Sequence, residues 1–315
     1  MSEPGQAHAL PAIGALTATA VLWGSNHVAA RAIHEAVPLP SLIFWRWALA
    51  LLVLVPMALP GLLREREAIR ARFGRLTVLG ALGVGLFSVC LYAGAYHSLA
   101  LEVGLLNATT PIWVLLLAVM TGAARPRAAQ VAGVLLALAG VIVVLLKGDI
   151  GNLLTLRLGI GNLWSLLAAM VFAWYTFALG ARPLGLAALN VTVLTALTGF
   201  FVVILPVYAA FVLTGGVDPL WARPSFGDAT LAVLYIAIGP TLLGNLFWIY
   251  GASRLGAERA GPFLYLSPLA ALVLSTSLLA EPLGPVQVIG AAAILGGLAI
   301  SARGRRPRLA EASSN

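Results

Sequence analysis

Trp23, Asn26 and His27 fall at i, i+3 and i+4 in an apolar run over residues 11–31, with Thr19 and Ala30 on the same helical face. An amide and an imidazole are costly against hydrocarbon, so this face is expected to point inward. There the two groups can bond either a solute or a neighbouring helix. Ser88, Tyr92 and Tyr96 recur four apart in a second run, and Thr241, Asn245 and Trp248 sit at i, i+4 and i+7 in a third. Asn107, Thr110 and Trp113 surround Pro111, while Tyr265 and Ser267 precede Pro268. These residue types suit recognition rather than bond-making. Aromatic faces receive apolar side chains or ammonium groups, and hydroxyls and amides receive polar ones. The expected substrate-binding set is therefore Trp23, Asn26, His27, Tyr92, Tyr96, Thr110, Trp113, Asn245, Trp248, Tyr265 and Ser267, around a neutral or zwitterionic, partly apolar solute.

Ionisable residues add two candidates and exclude much. Arg46 is the only cation inside an apolar run, about 9 Å from its outer end at 1.5 Å per residue. It can snorkel to the interface, or face the cavity mouth and hold a carboxylate. His97, near the predicted outer end of its helix, is a second possible gate contact, and it and His27 are the expected proton carriers if protons move through the protein, because histidine titrates near neutral pH. Arg31 and Glu35 have i, i+4 spacing and read as a solvated pair. Four histidines, a single cysteine (Cys90) and no carboxylate pair within the spans supply no metal site, cofactor site or catalytic constellation. The glycine run Gly80–Gly85 lies inside an apolar helix rather than after a strand, so it is not a phosphate loop.

The elements that must position these side chains follow from composition. Of 315 residues, 61% are hydrophobic and 10% charged, with a mean hydropathy of +0.98. A soluble domain carries about 25% charge, so the chain reads as a polytopic membrane protein in contact with lipid. Runs near 20 residues predict ten spans, near 11–31, 40–60, 74–97, 103–121, 128–146, 159–180, 188–213, 228–251, 260–280 and 285–302. The net charge of +8 could suggest nucleic acid, but its distribution is topological. With a cytoplasmic N-terminus, fourteen arginines fall on inner segments and four basic residues on outer ones, as the positive-inside rule requires. Both termini are then cytoplasmic.

An internal repeat organises the spans. An offset of 157 pairs Pro111 with Pro268, Gly104 with Gly261, Gln130 with Gln287, Gly133 with Gly290 and Gly140 with Gly297. An offset of 151 pairs Trp23 with Trp174 and Arg31 with Arg182. The expected fold is all-α, two five-helix repeats over 1–146 and 159–302, joined by an outer linker at 147–158 and followed by a basic tail at 303–315. Five is odd, so the second copy enters the membrane inverted, with a site near the midplane. Pro111 and Pro268 each free a carbonyl four residues earlier, at Asn107 and Leu264. Irregular backbone at that depth must be buried or line a cavity, so both read as kinks around a central site. The fifth and tenth helices, rich in glycine at seven-residue spacing, read as peripheral scaffold and a possible homodimer contact.

The run Leu22-Trp23-Gly24-Ser25-Asn26, the Ala-x3-Gly-x6-Pro spacing of both halves and Glu281-Pro282-x4-Gln287-x2-Gly290-x6-Gly297 resemble the drug/metabolite transporter superfamily, in its ten-helix EamA-type branch. The first half departs from that pattern at Ala124, the counterpart of Glu281. The resemblance implies export of small metabolites, often amino acids, across the bacterial inner membrane. The aromatic residues favour aromatic or large neutral ones. The multidrug exporters of that superfamily carry a buried glutamate in helix one, which has no counterpart here. A channel-like facilitator and a membrane-embedded enzyme are the competing classes, and the absence of a catalytic constellation weighs against the enzyme.

Overall fold

Inside hydrocarbon no water satisfies backbone N–H and C=O groups, so an apolar run must close its hydrogen bonds within itself, as helix. The computed structural model describes residues 6–123, 126–146, 159–181, 184–218, 227–255 and 260–303, and among these residues the regular structure is helical, with no strand. Ala124, the expected linker at 147–158 and residues 304–315 of the expected tail lie outside the described residues.

Helix α1 is Gln6–Ala32 and α2 is Leu39–Arg64. Helix α3 joins Arg66–Gly80, a π-helical turn at Ala81–Leu86, and Phe87–His97. Helix α4 comprises Ala100–Asn107 and Thr110–Met120, α5 is Ala128–Leu145 and α6 is Ile160–Ala181. Helix α7 joins Ala188–Gly199, a π-helical turn at Phe200–Ile204, and Leu205–Leu213. Helix α8 joins Asp228–Ile236, a π-helical turn at Ala237–Leu243, and Gly244–Leu255. Helix α9 opens as a 3-10 turn, Gly261–Tyr265, and continues over Leu266–Leu278; α10 is Pro285–Arg303. Six of them, α2, α3, α4, α6, α7 and α8, are long and apolar enough to cross a membrane, and α5, α9 and α10 are shorter apolar helices. Leu52, Leu135 and Val273 are 74%, 63% and 62% exposed. Apolar side chains that open to the surroundings fit a lipid-facing surface.

One boundary differs from expectation. The arginine-rich stretch expected to link the second and third spans is helical, with Glu65 alone separating α2 from α3. Arginine, alanine and glutamate are good helix formers, and basic stems extend a helix beyond the hydrocarbon.

Packing is closest where side chains are smallest. A Cβ at Gly24 would collide with the Ser267 carbonyl oxygen, so α1 and α9 touch backbone to backbone there. Helices α5 and α10 meet through their glycines. A Cβ on Gly133 would strike the Gly297 carbonyl, and one on Gly140 would lie 2.9 Å from the Gly290 carbonyl oxygen. The glycine faces of these two helices are thus taken up within the chain. Both helices also begin alike. The Gln130 side-chain oxygen accepts the Arg127 N–H at 2.9 Å, and the Gln287 oxygen accepts the Gly284 N–H at 3.2 Å. Each satisfies one of the donors that a helix start leaves free.

Pro111 follows a break in its helix rather than a smooth bow. Helix α4 is interrupted at Ala108–Thr109, immediately before Pro111. The Asn107 carbonyl that Pro111 leaves unbonded accepts the Thr110 hydroxyl at 2.7 Å. Pro240, in the π-turn of α8, cannot give the Ile236 carbonyl its α-helical donor, and the Thr241 hydroxyl donates to that carbonyl at 2.7 Å. Before Pro268 the irregularity is the 3-10 turn that opens α9.

Candidate functional site

Helix α1 brings Asn26 and His27 to the centre because Gly24 lets it press against α9, and both side chains are buried. Tyr92 on α3 has no exposed surface, and its hydroxyl donates to Asn26 Oδ1 at 2.6 Å. The Tyr92 ring carries the guanidinium of Arg46, 4.7 Å from its centroid, and the Trp47 ring lies 5.1 Å from the same group. Arg46 Nε donates to Thr241 Oγ1 at 3.1 Å, which ties α2 to the π-turn of α8. Trp47 Nε1 donates to Ser88 Oγ at 3.1 Å.

Arg46 is buried inside the bundle. The residue is 7% exposed, and among the described residues no carboxylate oxygen lies within 4.0 Å of its nitrogens. Its Nη1 is buried without a hydrogen-bond partner, and so is His27 Nδ1. Buried polar groups are nearly always bonded, so two unbonded nitrogens in one cluster stand out.

An aromatic wall adjoins this cluster. Trp23 Nε1 donates to the Pro240 carbonyl at 3.1 Å, and its ring lies 5.6 Å from that of Trp248, tilted by 38°. Gly244 makes room for the indole, since a Cβ there would lie 2.7 Å from Trp23 Nε1. Asn245 Nδ2 donates to the Thr241 carbonyl at 2.6 Å, within its own helix.

Other expected residues are placed elsewhere or turned to other work. The Tyr96 hydroxyl donates to the Val37 carbonyl at 2.7 Å, so it fastens the α1–α2 connection to α3. The Thr110 hydroxyl serves its own helix, and Trp113 Nε1 donates to Thr109 Oγ1 at 3.1 Å. Tyr265 packs with the apolar cluster around Leu105, Leu106 and Ile112. The Ser267 carbonyl forms the contact surface for Gly24. His97 is the exposed last residue of α3.

Three interactions were not expected. Arg31 does not pair with Glu35. Its Nε lies 4.0 Å from Glu281 Oε1, and its Nη1 donates to the Tyr96 carbonyl at 2.9 Å. Glu35 is solvated, its side chain 89% exposed and 3.8 Å from His34 Nε2. Glu281 also accepts the Ala100 N–H with both oxygens, at 3.2 and 3.1 Å, at the start of α4, where negative charge is favoured. Asp218 accepts Trp45 Nε1 at 2.9 Å and the Tyr208 hydroxyl at 2.7 Å, so two aromatics that resemble interfacial belt residues have a buried partner. Tyr208–Asp218 aside, these pairings join residues far apart in the chain, where local spacing carries no signal.

The family model that describes EamA-like transporters matches this chain twice, over residues 10–146 and 159–303. The chain belongs to the EamA-like transporter family. An EamA-like chain is a membrane transporter, and relatives are named accordingly. It is 29% identical over 308 residues to the "Probable terminal-alkyne amino-acid exporter" of Streptantibioticus cattleyicolor, covering 96% of this chain and 97% of that one. It is 29% identical over 294 residues to the "Uncharacterized transporter YetK" of Bacillus subtilis, covering 91% and 85%. The "Probable amino-acid metabolite efflux pump" of Escherichia coli shares 27% over 202 residues, 63% of this chain and 66% of the pump. A solved crystal structure superposes with a TM-score of 0.59 at 22% identity, over 95% of this chain and 99% of its own, which shows a shared fold.

Proposed function

We propose that this protein is a secondary transporter that exports small metabolites, amino acids foremost and aromatic or large neutral ones among them, across the bacterial inner membrane. Ten membrane helices form two inverted five-helix repeats with both termini in the cytoplasm, and alternating access rocks the repeats about the midplane. Matching features in the two halves support the inverted repeat. The family model matches twice, the π-turns of α3 and α8 lie about 157 residues apart, and Gln130 and Gln287 make the same helix-start bond. The glycine contacts support it too, because exchanging the halves turns the Gly133–Gly297 approach into the Gly290–Gly140 one.

The observation that carries the proposal is the central cluster itself. Asn26, His27, Arg46, Tyr92 and Thr241 come from four helices and are buried beside the Trp23–Trp248 wall. Buried polar side chains at such depth mark a substrate pathway. A wet pore would leave its polar lining accessible, whereas Tyr92 and Thr241 have no exposed surface, so a carrier that occludes its site fits better than a channel. Uptake of labelled amino acids into liposomes holding the purified protein tests this. Saturable uptake of phenylalanine or leucine, faster with unlabelled solute trapped inside, is the expected result. Linear uptake indifferent to trapped solute would refute the carrier, and no uptake of any amino acid would refute the cargo.

A further inference from the structure

Arg46 is a full positive charge, buried, on the second helix of a bundle whose described residues offer it no carboxylate. Removing a cation from water without a counter-ion is strongly unfavourable. Its contacts offset only part of that cost. The Tyr92 and Trp47 faces attract the guanidinium, and Thr241 accepts from Nε alone. The stacking on Tyr92 and the Nε bond hold the fork in place, and Nη1 is left buried and unbonded. His27 Nδ1, on the helix that supplies Tyr92's partner Asn26, is unbonded as well.

We propose that Arg46 is the anchor for a substrate carboxylate, so that the site takes a monocarboxylate whose apolar or aromatic body lies along the Trp23–Trp248 wall. This deepens the transport reading and rests on it. A guanidinium fork matches the geometry of a carboxylate. One fixed charge also matches one negative charge, whereas a phosphate monoester carries about −1.5 to −2 at neutral pH. The wall adjoins the anchor in the sequence of α8, since Trp23 bonds the Pro240 carbonyl and Arg46 bonds the Thr241 hydroxyl of the next residue. An amino group on the substrate would meet aromatic faces, Asn26 and carbonyl oxygens rather than a carboxylate. The acid is therefore read by charge, and the amine only by dipoles and rings.

The test is tryptophan fluorescence of the purified full-length protein, titrated with 3-phenylpropanoate, its uncharged amide, phenethylamine and L-phenylalanine. The two carboxylates are expected to quench saturably, with the amide and the amine at least tenfold weaker. Arg46→Gln should abolish the difference between acid and amide, and Arg46→Lys should retain part of it. Melting temperatures of Arg46→Gln and Arg46→Met should be no lower than that of the native protein, because the cation they remove has no counter-ion among the described residues. An acid preference that survives Arg46→Gln would overturn the proposal. So would native protein that binds none of the carboxylates or does not prefer them, and so would a large loss of stability in both uncharged variants. Binding is read here without transport, so liposomes that fail to exchange amino acids would sink the export reading and leave the carboxylate anchor standing.

Discussion

At the scale of residues, two prolines, Pro111 and Pro240, each have a threonine one residue away whose hydroxyl bonds the carbonyl that the proline cannot reach: Thr110 bonds Asn107 and Thr241 bonds Ile236. Thr241 then accepts from Arg46 with the same oxygen, so one hydroxyl repairs a helix and holds a charge. Thr241→Val should cost about 1–3 kcal/mol, since it removes the hydroxyl bond to the Ile236 carbonyl and leaves a guanidinium nitrogen without a partner. Thr241→Ser should restore most of that in a thermal melt. Tyr92→Phe removes the donor to Asn26 and should cost about 1 kcal/mol, at the modest scale of hydrogen bonds within membranes. A melting temperature equal to that of the native protein would show that the Tyr92–Asn26 bond adds nothing. Types and spacing pointed to Trp23, Asn26, His27, Tyr92 and Trp248 because amides, rings and imidazoles stand out in an apolar run. The same spacing could not separate Tyr96, Thr110 and Trp113, whose polar atoms bond nearby backbone or side chains instead. Ala100, which Glu281 bonds, and Trp45, which Asp218 bonds, are over a hundred residues from their carboxylates, and only folding reveals them.

At the scale of elements, glycine placement decides which helices touch. In α5 and α10 the glycines seven apart sit on one stripe, and that stripe is used within the chain. Gly133→Leu should force the two backbones apart and destabilise the protein by about 1–3 kcal/mol, whereas Leu135→Ala, on the lipid-facing side of α5, should leave the melting temperature nearly unchanged. Equal effects would mean that α5 and α10 are not held by that seam. The apolar runs announced most helices well, because hydrocarbon leaves backbone no other choice. Hydropathy missed the start of α3, where charge hid a helix built from strong helix formers. It also took the proline sites for bends, where the structure has a break in α4 and a 3-10 turn in α9.

At the scale of the whole molecule, one end of the bundle is fastened through Glu281, which joins the start of α4 to Arg31 at the end of α1, while Arg31 also bonds the end of α3. Opening that end requires these contacts to part. In protein whose Cys90 is replaced by alanine, Glu281→Ala should speed labelling of a cysteine placed at Ser98, which is 8% exposed and lies just before α4. Unchanged labelling would show that the end is held by other contacts. The central claim is that the buried cluster is the binding site of a carrier, and exchange across liposomes tests it most directly. With unlabelled phenylalanine trapped inside, labelled phenylalanine should enter faster than without it and saturate, and both effects should vanish in Arg46→Gln. Entry that is linear in concentration, indifferent to the trapped solute and the same in Arg46→Gln would contradict the account.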